Sequence, residues 1–424
     1  MPTLDVLRPS GPVAHRAPVA RSGMWWRHQF PVYSPLSGAA LFAGAGAVAR
    51  ADGRERAEAR VVALLAERYG AKAVLLTDSG TTALTAALVG VLKERAGSAV
   101  AVPAFSCYDL ATAADGAGAP VILYDMDPHT LGPDAASLRA ALRRGAGAIV
   151  VAHLYGYPVD LGEITRLAAD AGAVVIEDAA QAAGATLGGR PAGGQGSLAV
   201  LSFGRGKGLT GGSGGALLAY DAVGVRLVER VRGLVGDPRR GLRDLMALAA
   251  QLLLVRPNLY SLPAALPFLH LGETIYREPR PLRAPSTASC SVLAATWTLA
   301  DRELEARRRH AARLLVELQR QPGFATIRAP DHARPGYLRL PVLASPMARR
   351  AVAEGAARRL GVMPGYPKPL CDLERFGGRT LNRDAAFPGS RLLAARLCTL
   401  PTHGRLSHGD LGRLERWIRA VGKA

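Results

Sequence analysis

The sequence predicts an α/β protein: a large domain with a mainly parallel sheet between helices, followed by a smaller C-terminal α+β domain. Three observations carry this expectation. From about residue 55, short apolar runs alternate with stretches of helical period, the pattern of parallel strands joined by right-handed helical crossovers. Hydrophobic residues make up 49% of a 424-residue chain, enough for a real core. Beyond residue 285 the alternation gives way to one long helical stretch and short mixed elements.

The elements follow in order. Residues 1–30 form a basic N-terminal arm without the continuous apolar stretch of a signal peptide; Trp25 and Trp26 beside Arg27 suit a docking segment. Residues 31–224 form the large domain. In it "ERAEARVVALLAERYG", "TTALTAALVGVLKERAG", "DAASLRAALRRG" and "DLGEITRLAADAG" read as helices. Between and after them "AVLLT", "SAVAVP", "PVILYDMD", "GAIVVAHLYG", "GAVVIEDAA" and "SLAVLSF" read as strands. Residues 225–285 form an apolar insertion or connector, broken by Arg256, Pro257, Pro263 and Pro267, so it cannot be one continuous bilayer-spanning helix. Residues 286–424 hold a long helix, about 286–321, and a small domain containing "YLRLPVLAS", "ARRAVAEGAARRLG" and "HGDLGRLERWIRAV".

Composition excludes several function classes. Cys107, Cys290, Cys371 and Cys398 have no zinc-type or CxxC spacing, which argues against a disulfide scaffold or a metal site and fits a reducing cytoplasm. The formal charge of +19 is spread along the chain, with no zinc finger, RNP-like strand or basic heptad region, so nucleic acid is not the expected partner. An anionic small substrate or an anionic membrane surface would use the same charge. Arg239, Arg240 and Arg243 before "MALAAQLLLV", and Arg256 after it, suit peripheral membrane contact through residues 240–275; packing on the body of the protein is the alternative.

The charge has a second message. Of 53 basic residues only five are lysine, yet Lys207 stands inside the glycine-rich "LSFGRGKGLTGGSGGALL". An ε-amine can lose its proton and form an imine, which a guanidinium cannot do. Lys207 is therefore retained for its nitrogen rather than its charge. In a doubly wound sheet ligands sit beyond the carboxyl ends of the strands, and two more strand ends carry unusual chemistry: "TDSGTTAL" after "VLL", and "EDAAQA" after "VVI". Pyridoxal phosphate needs an amine, a carboxylate to hold its ring nitrogen protonated, and a cradle of hydroxyls and backbone N–H groups. Lys207, Asp178, and Ser79 with Gly80, Thr81 and Thr82 at a helix start supply one of each.

These stretches, with "GYPKPL" and "LCTLPTHGRLSHGDLGRL", resemble in order and spacing the motifs of DegT/StrS-type sugar aminotransferases, a branch of the fold-type I aminotransferase superfamily. The resemblance implies that Lys207 carries pyridoxal phosphate as a Schiff base, that Asp178 pairs with the ring nitrogen and that Gln181 lies near the ring. It implies Gly80, Thr81 and Ser202 at the phosphate. It also implies a homodimer, an amino-acid donor such as glutamate, and a nucleotide-linked keto-sugar acceptor. Departures accompany it. Cys107, next to Tyr108, stands where the family places a ring-stacking aromatic, and Ser213 replaces a usual acidic residue. "RPLRAPSTAS" lacks the family's cross-subunit Asn, with Arg283 the candidate substitute. His153 and His403 match family positions, although a core or hinge role is the commoner one for such histidines, and Phe203 suits packing rather than catalysis. Two other functions stay open: a pyridoxal-phosphate enzyme acting on a hydrophobic or lipid-linked substrate, and a non-catalytic relative with a binding role.

Overall fold

The computed structural model describes residues 28–238, 241–254 and 274–423. Trp25, Trp26, Arg27, Arg239, Arg240 and Arg256 lie outside the described residues, as does most of the apolar insertion.

Two helices, α1 (Gly38–Ala49) and α2 (Gly53–Tyr69), lead into β1 (Ala73–Thr77). Helix α3 (Gly80–Glu94) crosses to β2 (Ala99–Pro103), α4 (Asp109–Ala117) to β3 (Val121–Tyr124), and α5 (Ala135–Arg143) to β4 (Ala146–Ala152). Helix α6 (Gly162–Asp170) leads to β5 (Val174–Asp178), and a small hairpin, β6 (Thr186–Leu187) and β7 (Arg190–Pro191), precedes β8 (Leu198–Ser202) and β9 (Gly215–Ala219). The seven-stranded sheet has the order β1-β9-β8-β5-β4-β2-β3. Strands β8, β5, β4, β2 and β3 pair in parallel, as the alternating pattern predicts.

Strand β9 is the exception, antiparallel to both neighbours. No helix separates it from β8; the glycine-rich loop turns the chain straight back, which only antiparallel pairing permits. Sequence reading merged β9 with that loop because its apolar run is short and follows six glycines between 204 and 214. All residues of β2 and β4 are buried, consistent with parallel strands covered on both faces.

After α7 (Ala222–Arg232), the described part of the insertion forms α8 (Leu242–Leu254). Leu248 on α8 is buried against Leu36, Ala40 and Val292, while Leu242, Met246 and Leu253 are exposed, as is Phe42 on α1. Helix α9 (Thr287–Leu318) links the two halves: Cys290 and Leu293 pack on the large sheet, Leu314 and Leu318 on a second one. That sheet contains β10 (Phe324–Thr326), β12 (Leu340–Ala344), β13 (Met363–Pro364) and β14 (Leu397–Leu400) in the order β10-β12-β14-β13. A two-residue strand, β11 (Ala333–Arg334), instead pairs with β6. The stretch "ARRAVAEGAARRLG" divides into helices Pro346–Val352 and Gly355–Arg359, because Glu354 is extended and breaks the run. Among the described residues no helix is long and apolar enough to cross a membrane.

Candidate active site

The carboxyl ends of β1, β2, β5 and β8 meet at one edge of the large sheet. Beyond them lies a cavity of about 670 Å3, walled by residues 30–34, by the start of α3 and by the loop from Ser202 to Lys207. A deeper recess adjoins it, lined by Gly80, Thr81, Cys107, Asp178, Gln181, Ser202 and Lys207. Ser79 lines the main cavity. Residues drawn from five separate stretches of sequence thus share one site.

At the start of α3, Ser79 is the N-cap; its Oγ accepts from the Thr82 N–H at 3.1 Å. Thr82 Oγ1 donates to Asp78 Oδ1 at 2.6 Å, which fixes the turn. The amides of Gly80 and Thr81 have no acceptor within the helix and stand at the positive end of its dipole, a ready place for a phosphate. Gly80 has a second requirement. A Cβ there would lie 2.7 Å from Ser202 Cβ and 3.1 Å from its Oγ, so glycine lets the helix start approach the end of β8.

Strand β5 ends in two consecutive carboxylates that face opposite ways. Glu177 is fully buried and accepts from His153 Nε2 at 2.9 Å and from the N–H groups of Gly193, Gln195 and Gly196 at 2.7, 2.6 and 2.6 Å. His153 Nδ1 accepts from the Val159 N–H, which leaves Nε2 as the donor to Glu177. Burial alone would raise the Glu177 carboxyl, but His153 and the amides outweigh it and hold it below its usual range. Asp178 faces the recess instead. Its Oδ1 accepts from the Ala180 N–H at 3.1 Å, its one hydrogen-bond donor among the described residues. Burial pushes its carboxyl up, opposed by that amide and by the positive charge of Lys207.

Lys207 enters on the loop after β8. Its ammonium has no hydrogen bond or ion pair among the described residues, a free amine aimed at a space shared with an under-satisfied carboxylate. Gln181 accepts from the Tyr155 N–H at 3.0 Å and donates to the Tyr366 hydroxyl at 2.7 Å, so its amide is fixed from two sides. Cys107 lines the recess, and its thiol donates to Asp109 at 3.4 Å; burial and Asp109 push it well above the usual thiol range, which suits a packing role. Tyr108 turns away: its hydroxyl accepts from Lys368 N–H at 3.1 Å, so the recess contains no aromatic from this stretch.

Other candidates stand elsewhere. His153 serves Glu177, and His403 is buried behind the cavity, donating from Nε2 to the Phe30 carbonyl at 2.9 Å. Phe203 is core. Arg283 donates to the Asp237 carbonyl at 3.4 Å, outside the cavity lining, and the Ser213 carbonyl accepts from Ser289. Sequence reading missed Ser34, Asp109, Arg277 and Arg280, all of which line the cavity. Asp109 follows Cys107 and Tyr108 at the start of α4, while Ser34, Arg277 and Arg280 belong to no local motif; Ser34 and Arg277 are tied in by contacts more than a hundred residues apart along the chain.

The donor set fits pyridoxal phosphate. Lys207 would hold the aldehyde carbon, Asp178 the ring nitrogen, and the Gly80 and Thr81 amides with Ser202 the phosphate; the close approach that Gly80 permits brings the Ser202 hydroxyl beside those amides. Residues 56–235 match the model of the DegT/DnrJ/EryC1/StrS aminotransferase family. The chain is 37% identical over 175 residues to GDP-perosamine synthase of Caulobacter vibrioides, covering 41% of this chain and 47% of that one. It is 36% identical over 183 residues to L-glutamine:scyllo-inosose aminotransferase of Streptomyces griseus, covering 43% and 42%. The matched segment thus spans less than half the length of these two curated relatives. A solved sugar aminotransferase from Micromonospora echinospora shares the fold over 92% of this chain and 98% of its own, with a TM-score of 0.73 at 21% identity.

Proposed function

We propose that the protein is a pyridoxal-phosphate-dependent aminotransferase that moves an amino group from an amino-acid donor to a keto-sugar. The observation that carries this reading is the convergence of the Lys207 amine, unpaired among the described residues, and the Asp178 carboxylate in one recess beside the start of α3. Bound pyridoxal phosphate supplies an aldehyde that takes up amino groups and a ring that withdraws electrons from the carbon losing its proton. The residues do the rest. Asp178 keeps a proton on the ring nitrogen, and its burial excludes competing water. Lys207, when its nitrogen is free, takes a proton from the donor's α-carbon and returns one elsewhere along the same face. The Gly80 and Thr81 amides hold the phosphate, so the ring cannot slide away from either side chain.

Glutamate is the donor this reading assigns; L-glutamine, from which the Streptomyces griseus relative takes its name, is the donor to assay beside it. Arg205, Arg277 and Arg280 stand exposed around the cavity, which supports an acceptor carrying phosphate, as a nucleotide-linked sugar does. The four thiols are unpaired, consistent with a reducing cytoplasm. The exposed Phe42, Leu242 and Met246 support a homodimer that covers them; light scattering tests this, and co-sedimentation with anionic vesicles would assign the face to a membrane instead. The test of the function is mass spectrometry of products formed from a keto-sugar panel, free and nucleotide-linked, with each donor. Amination of none of them overturns it.

A further inference from the structure

Residues 29–36 run as a strap across the mouth of the cavity. One end is pinned to the C-terminal half: the Gln29 N–H donates to the Arg359 carbonyl at 2.9 Å, and the Phe30 ring stacks on His403 with centroids 4.4 Å apart. Arg307, fully buried on α9, donates to the Tyr33 carbonyl at 2.8 Å. The other end is held by Leu36, packed on Ala40, Leu248 and Val292.

Between these anchors Ser34, 1% exposed, touches the lysine loop with both functions of its hydroxyl. Its Oγ accepts from the Gly206 N–H at 2.8 Å and donates to the Lys207 carbonyl at 3.1 Å. One hydroxyl therefore grips the backbone on both sides of the Lys207 Cα. The loop needs that grip. Gly204, Gly206 and Gly208 surround the lysine, Gly206 sits at φ +78°, and such a segment has many backbone states to lose when it is ordered. The direction of the Lys207 Cα–Cβ bond decides where a four-carbon side chain delivers its amine.

We infer that Ser34 is a positioning residue for Lys207, through which the N-terminal strap makes the aim of the amine depend on the C-terminal half of the chain. This rests on the reading of Lys207 as the reacting amine. The test compares wild type, Ser34→Ala and Ser34→Thr. Before pyridoxal phosphate is added, exchange of the Gly206 amide should be about tenfold faster in Ser34→Ala, while the melting temperature stays within about 2 °C. After it is added, the rate of bond formation to Lys207 should fall about tenfold, and the pH midpoint of the visible absorption band should move by about half a unit or more. Ser34→Thr, which keeps the hydroxyl, should restore the wild-type values. Unchanged Gly206 exchange, or an unmoved rate and midpoint in Ser34→Ala, overturns the inference. A wild-type protein that never bonds pyridoxal phosphate at Lys207 would instead overturn the function on which it rests.

Discussion

Glu177 and Asp178 are chain neighbours of the same chemical type at the end of one strand, yet they live in opposite conditions. Among the described residues Glu177 has four donors and no room, whereas Asp178 has one donor and faces a cavity. A buried carboxylate whose lone pairs are all used stabilises the scaffold, because removing it strands the groups that pointed at it. One left under-satisfied beside a cavity is held ready for something that is not part of the chain. His153 and Lys207 repeat the contrast on the basic side: the imidazole is bonded at both nitrogens, while the ammonium has no partner among the described residues.

The contrast breaks most sharply at Asp178. Asp178→Asn should keep the fold, with stability changed by less than about 1 kcal/mol, and lower turnover by on the order of 10^2 to 10^3-fold, since a neutral amide cannot hold the ring-nitrogen proton. Parallel thermal melts and single-turnover kinetics check both halves. Glu177→Gln should do the reverse. Its amide would point N–H groups at N–H donors, at a cost of roughly 3 kcal/mol, visible as a lowered urea midpoint.

A smaller effect extends the rule to a second embedded group. Burial, with help from Arg307, depresses the His403 imidazole to about 3, far below its unfolded value of 6.5. Between those values the unfolded chain binds the extra proton, so the contribution of His403 is complete above pH 6.5 and is lost as pH falls. The slope is about 1.4 kcal/mol per pH unit. Denaturant melts from pH 7 to 4 should show wild type losing stability faster than His403→Gln by about one proton. Equal slopes would place a charged His403 in the fold.

Much of this was legible in the sequence because it is local. The parallel strands declare themselves as apolar runs, the helix from His408 to Val421 as a helical period, and Lys207 as an amine among arginines. Glu177 was passed over in favour of Asp178 because their difference lies in which face of β5 each side chain takes and what waits there, including amides sixteen to nineteen residues further on. The strap was invisible for the same reason: a single serine carries no motif, and its partners lie 172 and 173 residues away. Strand β9 hid inside glycines whose role is the turn before it.

The central claim is that the under-satisfied side of β5 is a pyridoxal-phosphate site built around Lys207. Purified protein loaded with pyridoxal phosphate, reduced with borohydride and digested, should yield one dominant modified peptide with the adduct on Lys207. Adduct on Lys72, Lys93, Lys368 or Lys423 in its place, or no adduct at all, would contradict it.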